Sequence, residues 1–373
     1  MSGRPDARPL RLVLWGDGDS PHLLKWATAL AAMPQLELFL ASSRGFLPGF
    51  EPLLPAARRF ALGHDTQFSG GNAALLRRLP AFARWLRQVD PDWVNAHYLS
   101  SHGTMAWLAK ALFLRGHRMQ LAASAWGSDI LVAPERSRVM RALTRAVLRA
   151  SAVCTSDSAH MSARMVAIGG LDPARVMTFP FGLDALPPAP PPKDDALFYA
   201  NRGLEPIYDP FRVIETFASV AAGWPAARLV VAHDGSLRPA LEARVQALGL
   251  AERVRFTGRL DAAGQAHWYG LARWYLSLPQ SDSVAVSVLE ALGHGAIPLL
   301  SDLPANRELV RHGDNGLILP VAGGLLPALH ALLGRADAVG RANRDWVAGH
   351  ALFGPCVAGF VERLRALTPP ARR

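Results

Sequence analysis

Cysteine is nearly absent: Cys154 and Cys356 are the only two in 373 residues. That is too few for a disulfide scaffold and too widely spaced for a metal knuckle, so both are expected as buried, reduced thiols. Long apolar runs are lacking as well. Stretches such as ALAAMPQLELFLA are broken by polar residues or Pro before they reach the roughly 20 residues that a bilayer span requires. The amino terminus, MSGRPDARPLRLVLWGDGDS, has no apolar signal core ending in a small-residue cleavage site, which points to a cytoplasmic chain. Charge is sparse too: 19% of residues are Asp, Glu, Lys or Arg against 50% apolar, a balance that suits compact domains and excludes a disordered chain. At this length two domains are expected rather than one.

The charge that is present is unevenly placed. Residues 1–183 hold 21 Lys and Arg against 12 Asp and Glu, whereas the remainder is nearly balanced at 19 against 18. A basic excess confined to one half suits an anionic partner, such as a phosphate-rich substrate or acidic lipid headgroups. An Arg- and Ala-rich composition produces the same excess with no partner at all. Nucleic acid is disfavoured, because the basic residues are spread over several helices without interleaved aromatics.

What is there is a repeated alternation. RLVLW ends in Gly16-Asp17-Gly18 and is followed by SPHLLKWATALAA at helical spacing, which reads as strand, glycine turn and helix. LELFLAS, DWVNAHY and QLAASAW are strand-like, and ALLRRLPAFARWLRQV, GTMAWLAKALFL and RVMRALTRAVLRA are helical. ALPPAPPPKDD then interrupts with a Pro run that supports neither helix nor central strand, and the alternation restarts at ALFYANR. The expected organisation is a Rossmann-like α/β domain over residues 1–183, a semi-rigid Pro-rich linker over 184–196 and a second doubly wound domain over 197–345. The remaining residues, 346–373, are read as helix with a break around Gly354-Pro355, packing back on the first domain. Two such sheets would turn their carboxyl strand ends toward a common cleft, where open α/β folds bind ligands.

The richest segment is SDSVAVSVLE, in which Asp282 and Glu290 flank small residues that lead into a helix. Carboxylates there can accept hydrogen bonds from sugar and ribose hydroxyls, while free amides at the helix start receive a diphosphate. A capping Asp and a surface Glu would fit the same spacing. Gly16 and Gly18 would let backbone approach phosphate, although GDG lacks the full dinucleotide fingerprint. His97 ends a strand and so sits at the ligand-binding edge of its sheet. Trp126 and Asp129, in WGSD, follow another strand, and a helix cap suits Asp129. A cap suits His102 too, and Gly235 marks a tight turn after VVAHD.

These segments together resemble the family 4 glycosyltransferases of GT-B fold. SDSVAVSVLEALGHGAIPLLSDLPANRELVRHGDNGL is similar to the family's donor-binding signature, and GDGDSPHLLKWATAL, PDWVNAHYLSSHG, WGSDIL, SAVCTSDSAH, FPFGLD, NRGLEPIYDP and VRFTGRL follow in the family's order. The resemblance implies two Rossmann-like domains and a retaining, metal-independent transfer from a nucleoside-diphosphate sugar, with no further cofactor. It implies that Glu290 holds the donor ribose and that Asp282, where the family has Glu, contacts the transferred sugar. The amides of Ser283, Val284, Ala285, Val286 and Ser287 would face the phosphates, and Arg202 would neutralise the departing diphosphate. Tyr208 stands where many members place a Lys, leaving Tyr208 or Arg212 to replace the missing cation. His97 would orient and polarise near the reacting sugar, Trp126 and Asp129 would shape the acceptor side, His102 would cap its helix or lie near the acceptor, and the segment around Arg255 would offer backbone groups to the nucleobase. The implied acceptor is a glycan, a glycolipid or a small molecule, with peripheral contact at an anionic membrane as one setting. Two other readings stay open: an isomerase or hydrolase of nucleotide sugars, and a non-catalytic nucleotide-sugar or nucleic-acid binding protein.

Overall fold

The computed structural model describes residues 8–63 and 72–369. Contacts gather the chain into two units, Met1–Phe179 with Gly354–Arg373, and Pro180–Phe353. The strands of the first unit are β1 (Leu10–Gly16), β2 (Leu36–Ser42), β3 (Arg59–Ala61), β4 (Trp93–His97), β5 (Gln120–Ser124), β6 (Val153–Ser156) and β7 (Val176–Thr178). They form one sheet in the order β3-β2-β1-β4-β5-β6-β7, and every pairing is parallel. The second unit carries β8 (Asp194–Ala200), β9 (Arg228–Val231), β10 (Val254–Phe256), β11 (Ala272–Ser277), β12 (Ile297–Ser301) and β13 (Leu317–Leu319). Their order is β10-β9-β8-β11-β12-β13, again parallel throughout.

Parallel strands need crossovers, and the crossover helices cover both faces, so central strands are buried on both sides. Every residue of β4 and β11 is buried accordingly. In β8 and β11 the side chains alternate between two cores: Phe198, Trp274 and Leu276 pack on one face, Leu197, Tyr199 and Tyr275 on the other. In each sheet the strand order reverses beside the first strand, between β1 and β4 and between β8 and β11. Such reversal points open a crevice at the carboxyl strand ends because the flanking helices leave in opposite directions.

The Pro-rich segment, expected as a semi-rigid linker, lies along the second unit, where Arg344 donates to the Pro187 and Pro188 carbonyls and Lys193 Nζ donates to the Tyr269 carbonyl at 2.6 Å. Asp194 and Asp195 already belong to β8. Proline has no N–H for a strand ladder, but its carbonyl still accepts, and Arg344 uses the carbonyls of Pro187 and Pro188. The carboxyl-terminal break falls at Ala351-Leu352, between the helices Ala336–His350 and Phe353–Leu367. Gly354-Pro355 lies inside the first turn of the latter, where a missing N–H costs nothing. That last helix packs on the first unit, with Phe360 edge-on to Trp26 at 5.5 Å and Thr368 Oγ1 accepting from Trp93 Nε1 at 2.8 Å. Cys154 is buried, its thiol pushed up to about 12 by that burial, but Cys356 is only half-buried; neither is in a disulfide.

Candidate active site

In the second unit, β8 runs into Asn201-Arg202 and β11 into the loop carrying Asp282, so the strand-order reversal brings these residues together. Arg202 Nη2 donates to Asp282 Oδ2 at 2.5 Å and Nη1 to Ser287 Oγ at 3.1 Å. The guanidinium also lies over the Tyr208 ring, 4.5 Å from its centroid. Gly203 makes that stacking feasible, because a Cβ there would sit 3.1 Å from the ring. Ser287 belongs to the first turn of the helix Val286–Gly293, whose N-cap residue, Ala285, supplies no side-chain cap. A fixed cation thus stands beside a helix amino terminus, two positive ends that together suit an anion. Asp282 fills that need here: burial pushes its carboxyl up, while Arg202 and the Ser283 amide, donating at 2.9 Å, hold it down.

Glu290, one further turn along the helix, is held from below. The Tyr269 hydroxyl lies 3.0 Å from both Glu290 Oε2 and the Ser287 carbonyl, and Asn201 Nδ2 donates to Tyr269 Oη at 2.8 Å. Asn201 Nδ2 also reaches Gln265 Oε1 at 2.8 Å, the acceptor of the Tyr199 hydroxyl, and Asn201 Oδ1 accepts from Tyr275 at 2.7 Å. Burial pushes Tyr275 up to about 12 and raises Tyr199 and Tyr269 as well, so all three hydroxyls stay protonated donors at neutral pH.

The other residues expected around the donor fare differently. Gly235 is required for packing: a Cβ there would lie 2.5 Å from the Leu204 carbonyl. Arg255 lies in the edge strand β10, separated from β8 by β9, and its guanidinium stacks on Trp268 at 5.7 Å. Arg212, the other candidate for the missing cation, donates to the Leu319 carbonyl at 3.2 Å. Val284 and Ala285 are buried, and Val286 opens the helix.

In the first unit, His97 closes β4 at the reversal point and is 3% exposed. Trp26 meets its ring edge-on at 5.1 Å and Trp126 lies at 5.5 Å, with His22 a further 5.1 Å from Trp126. His97 Nε2 is 3.1 Å from Asn95 Nδ2, whereas Nδ1 is buried without a hydrogen-bond partner among the described residues. An unpaired buried N–H or ring nitrogen costs about 1–3 kcal/mol, an expense that functional sites retain. The next residue, Tyr98, takes φ 73°, a conformation that costs a non-glycine residue about 1–3 kcal/mol. Its hydroxyl lies 2.8 Å from Ser128 Oγ.

Asp129, expected on the acceptor side, is fully buried and accepts from the Leu99 and Trp126 amides at 2.8 and 3.0 Å, tying together the turns after β4 and β5. His102 is likewise interior: it lies in the turn Leu99–Gly103, 3.1 Å from both Ser43 Oγ and Ser101 Oγ and 3.3 Å from Asp17 Oδ1. Neither a helix cap nor an accessible acceptor contact describes it. Gly16 and Gly18 open room for protein atoms. A Cβ on Gly16 would lie 2.8 Å from Leu23 Cδ1, and one on Gly18 2.4 Å from the Gly45 carbonyl and 2.8 Å from Ser42 Oγ. Gly18→Ala is therefore expected to destabilise the first unit by about 1–3 kcal/mol, read as a lowered urea midpoint; an unchanged midpoint would show that the loop moves aside freely.

Burial, with the charges of His102 and His22 adding to it, lowers His97 to about 3, so the folded protein holds this ring neutral. The unfolded chain takes up that proton near pH 6.5, and the folded chain does so only near pH 3. Stability should fall as pH drops from 6.5 toward 3. His97→Gln should flatten part of that slope in urea titrations at pH 7 and pH 4.5, and an identical slope would contradict the buried neutral ring.

Among the described residues no three His, Cys, Asp or Glu side chains converge as a metal site, and no helix is long and apolar enough to cross a membrane. Comparison with known proteins agrees with the geometry. The family of glycosyl transferases group 1 matches residues 187–322, and the glycosyl transferase 4-like family matches residues 11–158. A D-inositol 3-phosphate glycosyltransferase of Jonesia denitrificans is 25% identical over 262 residues, 62% of this chain and 61% of that one. A phosphatidyl-myo-inositol mannosyltransferase of Mycobacterium leprae is 24% identical over 341 residues, 85% of this chain and 83% of that relative. The crystal structure of Anabaena HepE in complex with UDP superposes with a TM-score of 0.72 at 15% identity, over 96% of this chain and all of that one, which supports the fold. Both matching families are glycosyl transferases, one over each half of the chain, and the chain belongs to the family 4 type of GT-B glycosyltransferases.

Proposed function

We propose that the chain is a retaining, metal-independent transferase that moves a sugar from a nucleoside-diphosphate donor to an inositol-type acceptor, either a free phosphate ester or a lipid. The observation that carries the donor assignment is the guanidinium of Arg202, held between Asp282, Ser287 and the Tyr208 ring beside an uncapped helix start. An entering diphosphate takes over Arg202 and the helix amides, which releases Asp282 to accept from sugar hydroxyls. Glu290, braced by Tyr269, accepts from the two ribose hydroxyls. The acceptor class rests on the relatives' names, and the basic excess of residues 1–183 suits an anionic acceptor.

In the transfer the bond from the anomeric carbon to the leaving phosphate oxygen breaks while the acceptor hydroxyl bonds to that carbon from the same face. The acceptor proton passes to the departing phosphate, and Arg202 stabilises the charge that grows there, which lowers the barrier. His97, neutral at physiological pH, orients a substrate oxygen and takes no proton. Product stereochemistry tests this reading. NMR of the glycoside formed from an α-linked donor should show the α anomer, with turnover unchanged by EDTA. A β product, or activity lost to EDTA and restored by Mg²⁺, would overturn it, and nucleotide release without any glycoside would favour a hydrolase.

A further inference from the structure

The polar groups beneath His97 are unusual for the centre of a parallel sheet, where Asn95, Ser124 and Thr155 stand on three adjacent strands and are all buried. Thr155 Oγ1 donates to Ser124 Oγ at 2.9 Å, and the Ser124 hydroxyl donates to Asn95 Oδ1 at 2.9 Å. The single proton of Ser124 goes to Asn95 Oδ1, which leaves the Ser124 oxygen to accept from Thr155. With its oxygen engaged by Ser124, the Asn95 amide turns its NH₂ toward His97 Nε2, 3.1 Å away. An NH₂ can only donate, so Nε2 must present a lone pair. The one proton of a neutral imidazole then resides on Nδ1, the nitrogen for which no protein partner exists among the described residues.

We infer that Asn95, oriented by Ser124 and Thr155, is a positioning residue that fixes His97 as the Nδ1–H tautomer, so that His97 serves the substrate only as a hydrogen-bond donor to an oxygen. The inference rests on the transferase reading for its purpose but not for its test. A ring free to choose its tautomer would offer either a proton or a lone pair, and a lone pair facing a sugar hydroxyl would invite the opposite polarity. The relay removes that choice before any ligand arrives, which is preorganisation at the level of one proton. Asn95 touches no substrate; it acts through the ring.

The test is ¹⁵N NMR of the full chain labelled in its histidines, with the His97 signal assigned by its loss in His97→Gln. Protonated and unprotonated ring nitrogens are separated by their chemical shifts. The wild type, without ligand at pH 7, should show His97 Nδ1 protonated and Nε2 unprotonated; a proton on Nε2 overturns the inference outright. Asn95→Asp replaces the donor by an acceptor and should move the proton to Nε2, whereas Thr155→Ser, which keeps the hydroxyl, should leave the wild-type pattern. An unchanged tautomer in Asn95→Asp would also overturn the inference. For transfer, Asn95→Asp should lower kcat at least tenfold with KM for the donor changed less than about threefold, since a wrong tautomer removes a transition-state contact rather than ground-state binding. A rise in KM alone would count against the positioning role. Failure of the transferase reading would look different: no nucleotide sugar turned over by the wild type, with the tautomer intact.

Discussion

Arg202→Ala should lower kcat by about 10²–10³-fold while KM for the donor rises far less, the loss expected when one preorganised group that meets developing charge is removed. Two features of the structure set this expectation. The guanidinium is pinned from three sides by Asp282, Ser287 and Tyr208, so it costs little reorganisation when phosphate charge grows. It also stands beside the start of Val286–Gly293, where the helix amides alone carry only partial charge. Arg202→Lys restores a charge but neither the planar fork nor the stacking, and should recover only part of the rate. Because Arg202→Ala leaves the Asp282 carboxyl buried without its cation, thermal unfolding of the variant should accompany the kinetics. Wild-type kcat in a folded Arg202→Ala protein would remove the residue from the chemistry.

Glu290→Ala should act on the other constant. A carboxylate that accepts from ribose hydroxyls does so equally before and during bond breaking, so its loss weakens binding without changing the chemical step. Hydrogen bonds to a charged group contribute about 1.5–3 kcal/mol, which predicts a KM for the donor raised about 10- to 100-fold at nearly constant kcat. The contribution depends on the carboxylate being held still. Tyr269 does that at 3.0 Å, and Asn201 holds Tyr269 in turn. Glu290→Gln retains an acceptor for Tyr269 and should fall between wild type and Glu290→Ala. Steady-state kinetics with the preferred donor decides the matter: a loss confined to kcat would assign Glu290 to the chemistry.

Much of the fold was legible because parallel α/β architecture writes itself as apolar runs alternating with amphipathic ones. The segments RLVLW, DWVNAHY and ALFYANR become β1, β4 and β8, the strands that flank or end at the two reversal points. Arg202, Asp282, Ser287 and Glu290 were legible as a set, and the structure gathers them around one helix start. The protein contacts of Gly16, Gly18, Asp129 and His102 were not legible, because a glycine turn or a buried polar side chain at a strand end looks the same whether it meets a ligand or the protein itself. The Pro run shows the same limit: proline excludes helix and central strand but does not say whether the resulting extended chain is free or docked, and here Arg344 and Lys193 dock it.

Apart from Tyr208, the tyrosines were missed, although composition held a signal. The chain has only five, at 98, 199, 208, 269 and 275. All lie at the two strand-order reversals or in the network beneath Glu290, which fits a side chain that combines apolar bulk with one hydroxyl. Asn95 was missed because a polar residue inside an apolar strand shows its purpose only through neighbours on other strands.

The central claim, that the second unit holds a nucleotide sugar through Arg202, Asp282 and Glu290, is tested most directly by measuring binding and turnover across a panel of donors, including UDP-glucose and GDP-mannose, for the wild type, Arg202→Ala and Glu290→Ala. Selective use of one donor, with turnover lost in the first variant and affinity lost in the second, is the predicted result. Equal or absent binding of every donor, unaltered by either substitution, would contradict it.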